Sequence, residues 1–560
     1  MDKNTVSNYG WIVIAVLVLS VMIALATPFG EYIKAGVEST TAGLFETQQS
    51  ALEAAGIIDV DDTEYIELSS AEDIYALARV LAYDLAQENH FGSSYAIKND
   101  LDNFEYPDDI TGATAKTEYL STASYKLMSN IDLTIQITND TNFFMGIGST
   151  SQPFKGVFNG NGKTINLKTS GPLAIDSNCN RDIGLFGTTE NANINNLKVT
   201  VSEDLIVTSS SKDNNIGSLV GRAGNTTISN CNVNIVDSKI GVDFANNGTT
   251  EASIGGCVGS GSYNFIENCT VNLSNGTISA KGVNNDSDAT YAMFSVGGVL
   301  GTSGYGSNNT ENIGQIGNQI YNCKVISKNT TQTDVIIATV ETGDELCAGG
   351  IVGMSFNNAV IKNCDIDIEK GNIISKKTGA TDIGKYGTHA GGIIGRLEHT
   401  GELFNCNVKG NYLNIESQSN NTDITGNSTT AGGIVGYDYG PYHKNIISIN
   451  KCSFDGMNTS TINAKTTLAS GRAYTGGIAG SSGYIIADCS VKNVTLINKS
   501  ENSTKSYIGK LVAFYHDHDG NWKLGTYFTP DTPEIRNCTT QNVIADATNN
   551  VTVGEVYGRT

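Results

Sequence analysis

The chain has 560 residues, 62 of them glycine and 7 proline, with 16% charged residues and a formal net charge of −22. Glycine at that level, with asparagine, serine and threonine filling the gaps, suits strands joined by polar turns better than helices. So acidic a chain repels phosphate backbones, which argues against nucleic acid as a partner.

The chain opens with a membrane signal. From Asn4 to Gly30 no charged residue occurs, and Trp11–Phe29 reads WIVIAVLVLSVMIALATPF. A helix of about 19 residues just spans a hydrocarbon core of about 30 Å. Three readings compete. The first is a retained signal anchor. In the second, Ala24-Leu25-Ala26 is the A-x-A site of a cleaved signal peptide. The third is a pilin-like segment, because Gly10 directly precedes the apolar run and the run passes into a helical stretch. The glutamate usual near the start of a pilin helix is missing. Each reading exports the remainder. Residues 1–30 are then a membrane anchor or signal segment, with 11–29 in the membrane, and 31–64 a helical stem or linker. Under the pilin reading the N-terminal helix also drives self-assembly.

Residues 65–168 form a lead-in. Ser69 and Glu72 fit a capping box. Ile74, Leu77, Leu81 and Leu85 follow at helical spacing. A short amphipathic helix here would hide the strand edges of a first coil. Further on, Asn159-Gly160-Asn161-Gly162 is a tight-turn signature between FKGVF and KTINL.

Residues 169–560 are repetitive. Ten glycine motifs recur, among them IGLFG (183–187), IGGCVG (254–259), AGGIVG (348–353), AGGIIG (390–395) and VGEVYG (553–558). Their last residues lie 33 to 52 apart, the mark of stacked structural units. A second motif travels with the first. ISNCNV, IENCTV, IYNCKV, IKNCDI, LFNCNV, INKCSF, IADCSV and IRNCTT carry Cys231, Cys269, Cys323, Cys364, Cys406, Cys452, Cys489 and Cys538. In the first unit Leu197 takes the cysteine place. Each unit is too short to fold alone. A glycine strand, a cysteine strand and a third apolar run predict three short strands per coil of a right-handed parallel β-helix, an all-β solenoid. About ten coils at about 4.8 Å each would make a rod on the order of 50 Å long. Like residues then align up the stack, so the eight cysteines form a buried structural ladder. Paired glycines leave room where backbones crowd or turn sharply.

The glycine strands resemble the GLUG motif of bacterial surface proteins. The lead-in is similar to that family's as well, in Glu67–Ile74, Ala123–Leu133, Met145–Gly148 and Phe154–Leu167. The resemblance covers about 65–560 and implies a right-handed β-helix on a bacterial cell surface. It implies no chemistry.

Catalytic signatures are sparse. The histidines are His90, His389, His399, His443, His516 and His518, and none stands in H-E-x-x-H. His516-Asp517-His518-Asp519, near Trp522, reads as an exposed polar loop rather than a metal site. No G-x-S-x-G occurs. Asp365, Asp367 and Glu369 would share one face of a strand, and Asp286 and Asp288 a loop, as in β-helix enzymes that act on polysaccharides. Nothing around these carboxylates suggests a groove. Eleven cysteines cannot all pair, and stacked thiols point in parallel, which is poor geometry for bridging. The ladder is therefore expected to be free thiols. These residues predict no catalytic, metal or cofactor site. They predict a surface-anchored scaffold, an adhesin or binding stalk, with a pilus-associated subunit and a carbohydrate-active enzyme as alternatives. Glycan or protein contact would fall to the inserted loops 302–318, 414–429 and 437–447.

Overall fold

A computed structural model describes residues 65–82, 101–135 and 146–559, apart from inter-strand stretches of which 283–291, 305–316 and 516–534 are the longest. The apolar run 11–29, the stem 31–64, Leu85, Asp286, Asp288, the His516–Asp519 cluster and every histidine but His389 lie outside the described residues. Among the described residues no helix is long and apolar enough to cross a membrane.

Residues Ile66–Thr560 form one compact unit. Its strands fall into four sheets of 12, 18, 10 and 10 strands, paired in parallel. One turn of the chain shows the plan: Thr227–Ser229, Asn232–Ile235, Lys239–Phe244, Thr250–Gly255 and Val258–Ser262 follow one another. Phe265–Glu267 then begins the next turn and pairs in register with Thr227–Ser229. The first strand belongs to a short ladder. The second and third belong to a broad sheet, and the last two to a pair of glycine ladders. This unit is thus a solenoid of stacked coils, nearly all β among the described residues.

Each coil has five strands, not three. The correction comes from both motifs: the cysteine motif divides at its left-handed residue, as Asn230 and Cys231 separate Thr227–Ser229 from Asn232–Ile235, and the glycine motif divides too. Read as one strand, it is two, because Thr250–Gly255 and Val258–Ser262 are separated by a bend at Gly256-Cys257. All ten motifs give one strand to each glycine ladder. In the last coils the second and third strands merge, as in Ser453–Thr466 and Thr539–Ala547.

The lead-in enters the same sheets. Ser124–Leu127 pairs with Val157–Asn159, which pairs with Asn193–Asn195 of the first repeat. Two helices cap this end. Helix α1 (Ala71–Ala82) buries Ile74, Leu77 and Leu81, and Tyr75 Oη accepts from Thr134 N at 2.8 Å. Its capping box sits one residue later than the sequence suggests. Asp73 N donates to Ser70 Oγ (3.3 Å) and Ser70 N to Asp73 Oδ2 (2.9 Å), so Ser70 and Asp73 replace Ser69 and Glu72. Helix α2 (Ala113–Thr122) packs beside it. One apolar core runs from Leu68 to Val551.

Candidate functional site

Three recurrent features could carry function: the corner that holds the cysteines, the corner that holds the glycine pairs, and one depression on the broad sheet.

The cysteine corner follows from a left-handed residue. The residue before each cysteine has φ of 53° or 54°: Asn230, Asn268, Asn322, Asn363, Asn405, Lys451, Asp488 and Asn537. Asparagine tolerates that region best among side-chain-bearing residues. It turns the chain from the short ladder into the broad sheet and throws the next side chain inward. Successive cysteines occupy adjacent coils. Thr270 N donates to Cys231 O, Lys324 N to Cys269 O, and so on to Thr539 N and Cys489 O, at 2.9–3.0 Å. In the first unit Asn232 N donates to Leu197 O at 2.9 Å. Each thiol also lies near two carbonyls. Cys364 Sγ is 3.4 Å from Lys362 O and 3.5 Å from Ile320 O of the preceding coil. Every cysteine among the described residues is free, and all but Cys538 are buried. Burial pushes the thiols of Cys323, Cys364 and Cys452 well above their usual range. Hydrogen bonds with the neighbouring thiols lower Cys269 and Cys489 instead, so protons are shared along the column, and it is burial that makes the ladder a packing element.

Outside the core, the two glycine ladders face one another across their bend and enclose a buried polar group. Glu345 pairs with Arg396, which also reaches Glu398. His389 Nδ1 lies 2.8 Å from Thr430 Oγ1, and its ring lies 4.8 Å from that of Tyr437, tilted by 34°. Burial, then the charge of Lys377, holds His389 down at about 3, so the ring is neutral. Cys347 packs there with Met293 and Met354, away from the main core, and its thiol is likewise raised by burial. Neutral His389 and protonated Cys347 form no reactive dyad. The group reads as a buried structural network with one unpartnered donor, Arg396 Nε.

The carboxylates singled out in sequence do not form a pair. Asp365 and Asp367 share a face, but the strand ends at Ile368, leaving Glu369 beyond it. Asp365 accepts from Asn407 Nδ2 (3.1 Å), whereas Asp367 is bound by Lys328 Nζ (2.7 Å).

The depression was not anticipated. It crosses four coils of the broad sheet and has a volume of about 460 Å³. One outward row across it reads Gly241, Ser279, Ile337, Ile374, Glu416, and the next reads Asp243, Lys281, Thr339, Lys376. Small residues beside two isoleucines give depth, and the charged row gives a rim. A Cβ on Gly241 would lie 1.8 Å from Ser279 O, so no side chain can fill that end. A bulge at Val335 explains why Ile337 points outward. The strand Thr333–Val340 has one residue more than its neighbour, and the pairing slips between Asp334 and Ile336. Val335 and Ile336 then both face the core, and the alternation restarts with Ile337 outside. The signal in the sequence was the apolar run VII within DVIIATV, one apolar residue too many for a strand with a polar outer face.

The inserted loops named above lie largely outside the described residues. Their ends are strand residues instead: Asn414–Ser419 continues a strand of the broad sheet, and Tyr437 belongs to Val435–Asp438. No family profile matches the chain, and no curated protein matches it.

Proposed function

We propose that the chain is an exported scaffold, held at a bacterial cell surface by the apolar run 11–29, whose coils form a non-catalytic stalk that displays binding surfaces. The observation that carries this reading is the unbroken register. Ten successive glycine motifs pair strand to strand, so the stack is one continuous hydrogen-bonded body that sets a fixed spacing from its N-terminal end. Such a solenoid tolerates sequence change in its outward rows and loops while the inward rows stay constant. The likeness of the glycine motifs to the GLUG group supports the surface assignment. Parallel crossovers are right-handed in nearly all cases, which supports a right-handed coil.

Proteolytic shaving of intact cells tests the proposal. The chain should fractionate with membranes, and external protease should remove the coils while a short N-terminal fragment stays behind. Recovery from the cytosol, or full protection in intact cells, would overturn it.

A further inference from the structure

We infer that the depression on the broad sheet is a saccharide seat, taking a neutral or amine-bearing sugar ring of a glycan. This deepens the scaffold reading and rests on it: the stalk would present this face to a carbohydrate.

Three features support the assignment. The first is an apolar floor in the wrong place for stability. Ile337 and Ile374 stand side by side on the outward row, Ile337 nearly covered (4% exposed) and Ile374 half-buried, where neighbouring rows are polar. They are put there by a bulge, and bulges recur where a strand must re-aim a side chain at a binding site. A sugar ring presents such a floor with its flat C–H face. The second is a rim of charges left unspent. Asp243 and Lys281 are register partners on adjacent strands, yet neither makes an ion pair or side-chain hydrogen bond with any described residue. The Glu341 carboxylate, farther along the rim, has no partner among the described residues either. Ionised groups of both signs, free to accept and donate, suit ring hydroxyls, and such charge-assisted bonds are the stronger kind. The third is size. About 460 Å³ falls within the range of small-ligand sites.

Charge chooses among sugars. Asp243, Asp334 and Glu341 against Lys281 and Lys376 leave the lining with one net negative charge (3 − 2). The whole chain adds a field of the same sign. Uronic and sulfated sugars are disfavoured, and an amino group is favoured.

The test is a glycan array probed with the full-length protein, followed by titration calorimetry on the best oligosaccharide. Neutral or amino-sugar glycans should bind and acidic ones should not. Asp243→Ala and Lys281→Ala are exposed changes that leave the fold intact, and each should weaken binding on the order of tenfold. Ile374→Glu should abolish it. Lys465→Ala, farther along the same row, should leave it unchanged. Unaltered thermal melting of the rim variants separates lost contacts from lost structure. No binding to any glycan class, preference for acidic glycans, binding of proteins alone, or full affinity in the rim variants would each overturn the seat. None of these outcomes touches the shaving experiment, which judges the scaffold reading separately.

Discussion

The two corners of each coil solve one problem, a sharp turn beside a crowded interior, by opposite means. At the cysteine corner a left-handed asparagine turns the chain and a small thiol fills the space behind it. At the glycine corner nothing fills the space, because backbone already occupies it. A Cβ on Gly391 would lie 2.0 Å from Ile394 O across the bend and 2.7 Å from Gly436 N of the next coil. A Cβ on its neighbour Gly392 would lie 2.0 Å from Gly433 O. One corner depends on a side chain and should tolerate exchange. The other depends on the lack of one and should not.

The largest expected effect follows directly. Gly391→Val must displace two strands and should cost more than about 4 kcal/mol, enough to prevent folding or to halve the yield of soluble protein. Urea unfolding of Gly391→Val beside Cys364→Val checks it. Comparable losses in the two variants would erase the distinction between the corners.

A second prediction concerns what the glycine corner encloses. His389 titrates below its ordinary range, at about 3, because burial disfavours its charged form and Lys377 adds to that. Glu345 Oε1 is 3.6 Å from His389 Nε2, but its charge is engaged by Arg396. The folded state therefore binds fewer protons than the unfolded state between pH 3 and 6.5. Stability from this group is complete above about pH 6.5 and falls as pH drops towards 3, at up to about 1.4 kcal/mol per unit. Carboxylates elsewhere also titrate in acid, so the measurement is a difference. Urea midpoints of the parent should fall faster between pH 6.5 and 4 than those of His389→Gln. Parallel curves would mean that His389 is charged or solvated.

How much of this was legible in the sequence depends on the range of the cause. The repeat, the ladder and the parallel stack follow from periodicities that a single chain displays, and Leu197 could be placed in the cysteine column by pattern alone. The strand count could not. Ala348-Gly349-Gly350-Ile351-Val352-Gly353 reads as one apolar strand, and only contact between coils reveals the bend after Gly349. The capping box was off by one because Ser69-Ser70 and Glu72-Asp73 offer two overlapping matches, decided by where the preceding strand ends at Leu68. The depression was invisible for a different reason. Gly241, Ser279, Ile337 and Ile374 become neighbours only through register across coils of unequal length, and the bulge at Val335 shifts the phase within one of them.

Within the cysteine corner the turn residue should matter more than the thiol. Asn363 has φ of 54°, and its side chain links Asn322 (3.2 Å) to Asn405 (2.9 Å) in the coils on either side. Asn363→Ala should cost about 1–2 kcal/mol from backbone conformation and the lost bonds. Asn363→Gly should recover the conformational part. Equal losses for alanine and glycine would place the cost in the asparagine column and not in the turn.

The smallest effect is expected at the thiols themselves. Cys364→Ser keeps a small side chain with two carbonyl acceptors, Lys362 O and Ile320 O, already at 3.4 and 3.5 Å. The change should cost no more than about 1 kcal/mol, since a hydroxyl is more polar than a thiol but finds its partners waiting. Reactivity should follow the same geometry. Access should outweigh acidity: Cys538, in the last coil and only partly buried, should be alkylated first although its hydrogen bond with Cys489 raises it, while Cys231 through Cys489 should wait for global unfolding. Mass spectrometry of iodoacetamide-treated protein across a urea series reads both points. Early labelling of a central cysteine such as Cys364 would show that the coils open locally at this corner. The thiol column would then be a weak seam in the stack instead of its filler.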